Sequence, residues 1–136
     1  MGVEIKICGL TRPADAAVAV AAGASYLGVV FAGGPRQVNA ARALEVRSAA
    51  EGRPVIAVIG SATTAEVLRL RDQAGFSGVQ LHGEHPENMA GDLRREGLLV
   101  WEVARLSGPP ARDALRTVAA RADAILVEPR VGTALG

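Results

Sequence analysis

The single cysteine of this 136-residue chain lies where a short alternating run of residues breaks into a turn. Polar and apolar side chains alternate in residues 3–8, so Lys6 and Cys8 lie on one face of a predicted strand, and Gly9 follows directly. Free cysteine is most often a small buried hydrophobic residue. Beside a lysine at a strand end it is alternatively a reactive thiolate, which could act as a base. The residues alone leave both interpretations open.

Two further groups of polar side chains follow predicted strands. Arg36 comes after a loop of residues 33–35 (GGP), where its planar guanidinium either is solvated or binds a carboxylate or phosphate. Gln80 and His82 share a face of another strand, and Gly83 lets the chain turn immediately afterwards. His82 therefore either lines a site or hydrogen-bonds a neighbouring loop.

Two acidic residues lie near the ends of later strands, Glu102 in the fifth and Glu128 at the end of the sixth. Trp101 and Glu102 are adjacent, so their side chains point to opposite faces of the strand. We therefore expect Trp101 to pack outward against the helices. No metal site is expected, because His82 has no partner at a usual ligand spacing and His85 lies on the next loop. Polar groups from several strand ends would thus meet at one edge of a sheet.

A regular alternation of strands and helices must position these groups. The sequence predicts strands at residues 3–8, 25–31, 54–60, 77–82, 98–104 and 123–128, and helices at 14–22, 39–51, 63–74, 86–96 and 110–121. Thr11 is the predicted N-cap of the first helix. Strand starts recur every 20 to 30 residues or so, as in parallel strands joined by helical crossovers. No linker interrupts the series, so residues 1–136 are expected to form one domain.

Two parallel α/β architectures fit this alternation, an open doubly wound sheet and a closed eight-stranded barrel. Central strands of an open sheet are usually apolar on both faces, whereas here one face turns polar at the carboxyl ends of the strands. Polar strand ends that converge on one rim are typical of a barrel's catalytic face. We therefore expect an incomplete TIM (β/α)8 barrel of six strands and five helices.

Composition argues against several classes of partner. Lysine and arginine outnumber aspartate and glutamate by only 15 to 14, and aromatic residues make up 3%, which disfavours nucleic acid and anionic membranes. No apolar run is long enough to span a bilayer, and neither GxGxxG nor a P-loop occurs. A lone cysteine and an N-terminus without secretory features favour the cytoplasm.

Four segments, taken together and in this order, resemble the phosphoribosylanthranilate isomerases of tryptophan biosynthesis. They are residues 6–11 (KICGLT), residues 28–31 (GVVF) with Pro35 and Arg36 after them, residues 79–84 (VQLHGE) and residues 122–128 (ADAILVE). The resemblance covers the whole chain and corresponds to the first six of the family's eight strand-helix units.

The resemblance implies an Amadori rearrangement of N-(5'-phosphoribosyl)anthranilate, an aldose-ketose type of isomerisation that uses no cofactor. One group protonates the sugar ring oxygen so that the ring opens to a Schiff base, and another removes the proton from C2. By resemblance Cys8 is the base, Glu128 stands in the position of the acid, and Arg36 binds the anthranilate carboxylate. Gln80 and His82 line the substrate pocket.

Three features depart from the family pattern. Glu128 replaces the usual aspartate, Gly34 replaces a serine, and Gly136 matches the first glycine of a Gly-Gly-Thr-Gly segment. In the family, two further strands follow, and their loops bind the substrate phosphate. Six strands cannot close a barrel, so this chain alone is expected to be inactive and to associate through its unpaired strand edges.

Two alternatives remain open at this point. One is a non-catalytic barrel fragment that completes its sheet with another chain. The other is a different sugar-phosphate isomerase barrel, such as the related isomerase of histidine biosynthesis. Isomerases of that type resemble enzymes that work with a pair of aspartates. The first strand here ends in Cys8 and not in aspartate, which disfavours this alternative.

Overall fold

Six strands and five helices alternate in the described part of the chain, residues 2–106 and 112–129 of a computed structural model. The strands are β1 (Lys6–Ile7), β2 (Tyr26–Val30), β3 (Val55–Ile59), β4 (Gly78–Leu81), β5 (Leu99–Leu106) and β6 (Ala124–Pro129). The helices are α1 (Pro13–Ala21), α2 (Ala40–Ser48), α3 (Thr64–Ala74), α4 (Met89–Arg95) and α5 (Arg112–Arg121). The predicted alternation is confirmed. The predicted helix start at residue 110 and the terminal Gly136 lie outside the described residues.

The order of the strands distinguishes the two parallel architectures. All neighbouring strands are parallel, and they lie in the sequence order β1-β2-β3-β4-β5-β6 without reversal. A doubly wound sheet reverses its strand order at a switch point, whereas a barrel adds each strand beside the previous one. The chain is therefore an incomplete (β/α)8 barrel, as the sequence predicted.

The main core lies between the outer face of the sheet and helices α1 to α4. Alternate strand residues point to this face, because side chains of a strand alternate with a period of two. Strand members of the core are Leu27, Val29, Val55, Ala57, Ile59, Val79, Leu81 and Val100, and helix members include Ala16, Ala19, Val46, Val67, Met89 and Leu93. This packing holds the strands rigidly and leaves their other faces to form an inner surface.

Two of the helices begin with the side-chain caps that their sequences indicate. Asn39 precedes α2 and its side chain accepts a hydrogen bond from the backbone N–H of Arg42 at 2.8 Å. Thr63 and Glu66 form a reciprocal capping box at the start of α3. Hydrogen bonds from the backbone N–H and the hydroxyl of Thr63 lower the pKa of Glu66. These caps stabilise the loops that follow β2 and β3.

Helix α1 begins at Pro13, one residue later than a cap at Thr11 would imply. Arg12, not Thr11, occupies the N-cap position of α1, and its side chain does not cap the backbone. The Arg12 guanidinium instead donates two hydrogen bonds to Asp15 in the first turn, at 2.8 and 2.7 Å. The prediction for Thr11 was wrong because Pro13 starts the helix, which places residue 12 at the N-cap.

Contacts across the inner face show how strongly the sheet curves. The rings of Tyr26 in β2 and Trp101 in β5 meet edge to face with centroids 5.0 Å apart. On a flat sheet these strands would be about 14 Å apart, because neighbouring strands are about 4.8 Å apart. Burial raises the pKa of Tyr26, and Glu4, whose carboxylate accepts from the Tyr26 hydroxyl at 3.3 Å, adds to this effect. The six strands thus enclose a concave interior.

The faces of β5 are the reverse of those predicted. Gln80 pairs in register with Trp101, and Leu81 pairs with Glu102, so Trp101 lies on the inner face and Glu102 on the outer face. Glu102 is only 3% exposed and accepts two hydrogen bonds from Arg121 of α5, at 2.8 and 2.9 Å. The prediction was wrong because this guanidinium, distant in sequence, compensates a carboxylate that would otherwise not be buried.

The edges of the sheet leave apolar side chains exposed. Within the described residues β1 pairs only with β2, and β6 pairs only with β5. Ile7 in β1 is 40% exposed and Val127 in β6 is 58% exposed. None of the helices in the described ranges has the length and apolar character needed to cross a membrane.

Candidate active site

A groove of about 490 Å³ lies at the carboxyl ends of the strands, on the inner side of the sheet. All five residues that the sequence analysis singled out for the site line this groove: Cys8, Arg36, Gln80, His82 and Glu128. Gln80 lies in β4 and Glu128 in β6, Cys8 and His82 directly follow β1 and β4, and Arg36 lies in the loop after β2. Parallel strands bring residues distant in sequence to one rim, and the volume suits a small-molecule ligand.

Cys8 follows β1 and is exposed to the groove, so it is not a buried hydrophobic residue. The chain turns at Gly9, whose φ of 77° favours glycine, and the backbone N–H of Leu10 donates to the carbonyl of Gly28 at 2.9 Å. The Nζ of Lys6 lies 3.4 Å from the Cys8 sulfur. The only thiol of the chain therefore sits on the rim beside an ammonium group.

Arg36 reaches back from the loop after β2 to the end of β1. Its Nη1 donates to the backbone carbonyl of Cys8 at 3.3 Å. The guanidinium packs on Gly9 so closely that a side chain there would clash, since an added Cβ would lie 2.6 Å from Arg36 Cζ. Gly33 and Gly34 have φ values of 90° and 96°, which explains a glycine at position 34 of this loop.

Gln80 and His82 extend the rim along β4. Gln80 is 4% exposed, and its side-chain oxygen accepts a hydrogen bond from Lys6 Nζ at 2.5 Å. The backbone N–H of His82 donates to the carbonyl of Ile59 at 2.9 Å, which continues the ladder between β3 and β4. Lys6, which the sequence analysis treated only as a neighbour of Cys8, thus connects two sides of the groove.

His82 carries an unpaired polar atom. Its Nε2 lies 3.1 Å from Nη2 of Arg105, which also donates to the His82 carbonyl at 3.2 Å. Because a guanidinium only donates, Nε2 must accept, and in the neutral ring the proton is then on Nδ1. That Nδ1 is buried and has no hydrogen-bond partner among the described residues. His82 therefore keeps one buried polar ring atom whose hydrogen-bonding capacity no described residue satisfies.

Glu128 stands at the end of β6 and faces Arg105 of β5. The two residues are paired in register, and Arg105 Nε lies 3.8 Å from Glu128 Oε2. Arg105 thereby contacts both the carboxylate and His82. Arg105 was missed because the predicted fifth strand ended at residue 104 and its inner face was assigned to Glu102. Arg105 has the same parity as Trp101, which the structure places on the inner face.

The charges around the groove are unbalanced. Among the described residues, Lys6 and Arg36 line it and Arg105 lies beside it, against the one carboxylate of Glu128. Cationic side chains around a concave site attract anionic small molecules. A thiol, a carboxyl group and an imidazole on the same rim add groups that can accept or donate protons.

This partial (β/α)8 barrel carries its polar rim at the carboxyl ends of the strands, which is where the active sites of TIM-barrel enzymes lie. The sequence profile of the N-(5'-phosphoribosyl)anthranilate (PRA) isomerase family matches residues 5–123. The chain belongs to this family. The match includes Cys8, Arg36, Gln80 and His82 and ends before Glu128, and it disfavours the histidine-biosynthesis alternative.

Similar proteins support the assignment and show the extent of the match. An N-(5'-phosphoribosyl)anthranilate isomerase of Mesorhizobium japonicum is 38% identical over 131 residues, which is 94% of this chain and 60% of that protein. The crystal structure of the phosphoribosyl anthranilate isomerase from Thermus thermophilus is 32% identical with a TM-score of 0.85, over 95% of this chain and 64% of that one. The chain thus spans about three fifths of the length of such a curated relative.

A further solved relative carries a ligand. It is a phosphoribosyl anthranilate isomerase in complex with reduced 1-(o-carboxyphenylamino)-1-deoxyribulose 5-phosphate. It is 25% identical with a TM-score of 0.81, and the alignment covers 94% of this chain and 66% of that one.

Proposed function

We propose that the full-length protein to which this chain belongs isomerises N-(5'-phosphoribosyl)anthranilate to 1-(2-carboxyphenylamino)-1-deoxyribulose 5-phosphate in tryptophan biosynthesis. The observation that carries the proposal is the groove in which Cys8, Arg36 and Glu128 meet, in a member of the isomerase family. The groove is large enough for a small ligand, and its cationic side chains suit a substrate with a carboxylate and a phosphate.

Glu128 is the proposed general acid. It protonates the ring oxygen of the furanose, the bond from C1 to that oxygen breaks, and the nitrogen lone pair forms the Schiff base. The position of Glu128 at the end of β6, with Arg105 Nε 3.8 Å from its carboxylate, supports this role because it directs the carboxyl group along the rim. The side chain is one methylene longer than aspartate, so it reaches further into the groove.

Cys8 is the proposed general base. Its thiolate removes the proton from C2, and the electron pair of that C–H bond forms the enolamine. Protonation at C1 and loss of the proton from the C2 hydroxyl then give the ketone, so substrate and product have the same composition. The exposure of Cys8 on the rim and its contact with Lys6 support this role.

Arg36, Gln80 and His82 are the proposed binding residues. Arg36 is exposed on the groove and carries a planar fork that fits the anthranilate carboxylate. His82 lines the groove, where its imidazole ring can contact the sugar part of the substrate. Gln80 is already engaged by Lys6, so we expect it to shape the floor of the groove and to contact substrate only weakly.

We infer further that the protein works in the cytoplasm. A free, exposed cysteine that must remain reduced for the proposed reaction suits a reducing compartment. We also infer that residues 1–136, on their own, self-associate through the open edges of β1 and β6.

Complementation of a tryptophan auxotroph tests the proposed function. The gene for the complete polypeptide, expressed in a bacterial strain that lacks phosphoribosylanthranilate isomerase, is expected to restore growth without tryptophan. The same strain with an empty vector is the control. Failure to grow, with the protein present in soluble form, would contradict the proposal.

A further inference from the structure

Lys6 is the only lysine in the chain; every other one of the 15 basic residues is an arginine. The exception stands at the inner side of β1, two residues before Cys8. A lysine ammonium is a compact point charge, whereas a guanidinium is broad and planar. Position 6 is therefore the one basic position of the chain that carries a compact ammonium group in place of a planar guanidinium.

Three contacts hold the Lys6 ammonium group in place. Its Nζ is 2.5 Å from the side-chain oxygen of Gln80, 3.4 Å from the sulfur of Cys8 and 5.4 Å from the centroid of the Trp101 ring. Gln80 is buried, and the face of an indole attracts a cation. Lys6 is thus fixed from the side of β4 and β5 and directed toward the thiol on β1.

Gly28 in β2 makes the room that this arrangement needs. A Cβ at this position would lie 2.8 Å from the Cys8 sulfur and 3.0 Å from Lys6 Cε. Gly28 has no positive φ, so the backbone conformation does not require glycine. Glycine is required because a side chain at this position would overlap Cys8 and Lys6. This observation is independent of the contacts that the Lys6 ammonium group makes.

We propose that Lys6 is a positioning residue of the isomerase, which holds the sulfur of Cys8 toward the groove and stabilises the thiolate when it forms. This inference rests on the proposed function, in which Cys8 is the base. The negative sulfur is stabilised by the adjacent ammonium, while Gln80 and Trp101 prevent the ammonium from turning away. Two other charged groups lie near the thiol: Arg36, which binds the Cys8 carbonyl, and Glu128, which lines the same groove.

Alkylation of Cys8 by iodoacetamide tests the inference without reference to isomerase activity. The complete polypeptide is compared with Lys6→Met, Lys6→Arg and, as a matched control, Arg53→Met, whose side chain is exposed outside the groove. The modified peptide is quantified by mass spectrometry after Glu-C digestion, which does not depend on the lysine. Rates are measured at pH 7 and pH 10, since free thiols ionise near a pKa of about 8.5.

Lys6→Met is expected to slow alkylation at pH 7 about tenfold or more, and to leave the rate at pH 10 within about twofold of wild type, because only the thiolate reacts. Lys6→Arg should restore part of the rate at pH 7, and Arg53→Met should not change it. Equal rates for wild type and Lys6→Met at pH 7 would overturn the inference. If Lys6→Met does not fold, as judged by circular dichroism, Lys6→Gln carries the same expectations.

Steady-state kinetics separate this inference from the proposed function. In Lys6→Met we expect kcat to fall at least tenfold and KM to rise by a smaller factor, because the base loses its neighbouring ammonium group whereas Arg36 keeps its contacts. Absence of turnover in the wild-type protein would contradict the proposed function and leave the alkylation result standing. Wild-type turnover together with unchanged kcat and unchanged alkylation in Lys6→Met would overturn the role of Lys6 alone.

Discussion

Glycine residues determine how closely the groups of the groove approach one another. Gly9 lies under the Arg36 guanidinium, and Gly28 lies under Cys8 and Lys6. Neither role can be read from the sequence as such, since a glycine in a strand pattern is also compatible with a bulge. The contacts identify Gly28 as the residue through which β2 accommodates the thiol.

Gly28→Ala tests this arrangement. The new methyl group would lie within 3.0 Å of both the Cys8 sulfur and Lys6 Cε, so one of them must move. We expect kcat of the full-length protein to fall at least about tenfold and the free energy of unfolding to fall by about 1–3 kcal/mol, as for overpacked sites. Gly60→Ala is the control, because its Cβ would meet Ala32 at an ordinary 3.5 Å. Equal kcat values for the two variants would contradict the account.

Glu128 provides a second test, because the family pattern has aspartate at this position. Glu128→Gln removes the acid and should lower kcat about 100-fold or more, the usual size of an acid-base contribution. Glu128→Asp keeps the acid but withdraws it from Arg105, so a smaller loss of about tenfold is expected.

The control for both variants is Asp113→Asn in α5, whose side chain is 95% exposed and which should leave kcat unchanged. Wild-type turnover in Glu128→Gln, measured under saturating substrate, would remove Glu128 from the mechanism.

The residues that line the groove could be located from the sequence because most of them lie at the ends of strands that the alternation predicts. Cys8, Gln80, His82 and Glu128 follow this rule, whereas Arg36 lies in the loop after β2. Trp101, Glu102 and Arg105 were not predictable in the same way. Both faces of β5 carry large or charged residues, so its hydrophobic pattern does not specify which face is inner, and only the folded partners do.

The outer face of β5 is joined to α5 by the ion pair of Glu102 and Arg121. The pair is bidentate, and His85 from the loop before α4 adds a third group, with Nε2 3.8 Å from the same carboxylate. Removal of one partner of a buried pair leaves the other uncompensated, which costs more than the pair itself contributes. This cluster therefore ties the loop after β4, which carries His82, to the last described helix.

Glu102→Gln is expected to lower the free energy of unfolding of the full-length protein by about 2 kcal/mol, because a charge-assisted, bidentate contact is replaced by a neutral one. Urea denaturation followed by circular dichroism measures the change. Glu96→Gln is the matched control, since its side chain is exposed, and it should change stability by less than about 0.5 kcal/mol. Equal stabilities of the two variants would show that the ion pair does not hold α5 to the sheet.

Across the molecule, the sheet curves far enough for β2 to touch β5 but remains open in the described residues. β1 and β6 each have one strand partner there, and Ile7 and Val127 are exposed beside those edges. Unpaired N–H and C=O groups next to apolar side chains promote pairing with another chain.

A polypeptide limited to residues 1–136 is therefore expected to elute as dimers or larger species in size-exclusion chromatography with light scattering. Val127→Lys should shift it toward smaller species, because a charge on an edge strand opposes pairing. Leu44→Lys is the control, since Leu44 is 45% exposed on α2, which packs between α1 and α3 and not beside an edge of the sheet. A monodisperse monomer of the unsubstituted chain would contradict association through the edges.

The central claim is that Cys8 acts as the base in an isomerase, and turnover by the Cys8→Ser variant of the complete polypeptide tests it most directly. Conversion of N-(5'-phosphoribosyl)anthranilate is followed by chromatographic separation of substrate and product. A serine hydroxyl is far less acidic than a thiol, so kcat should fall at least about 100-fold while KM stays within about twofold of wild type. Near-normal turnover by Cys8→Ser would contradict the account.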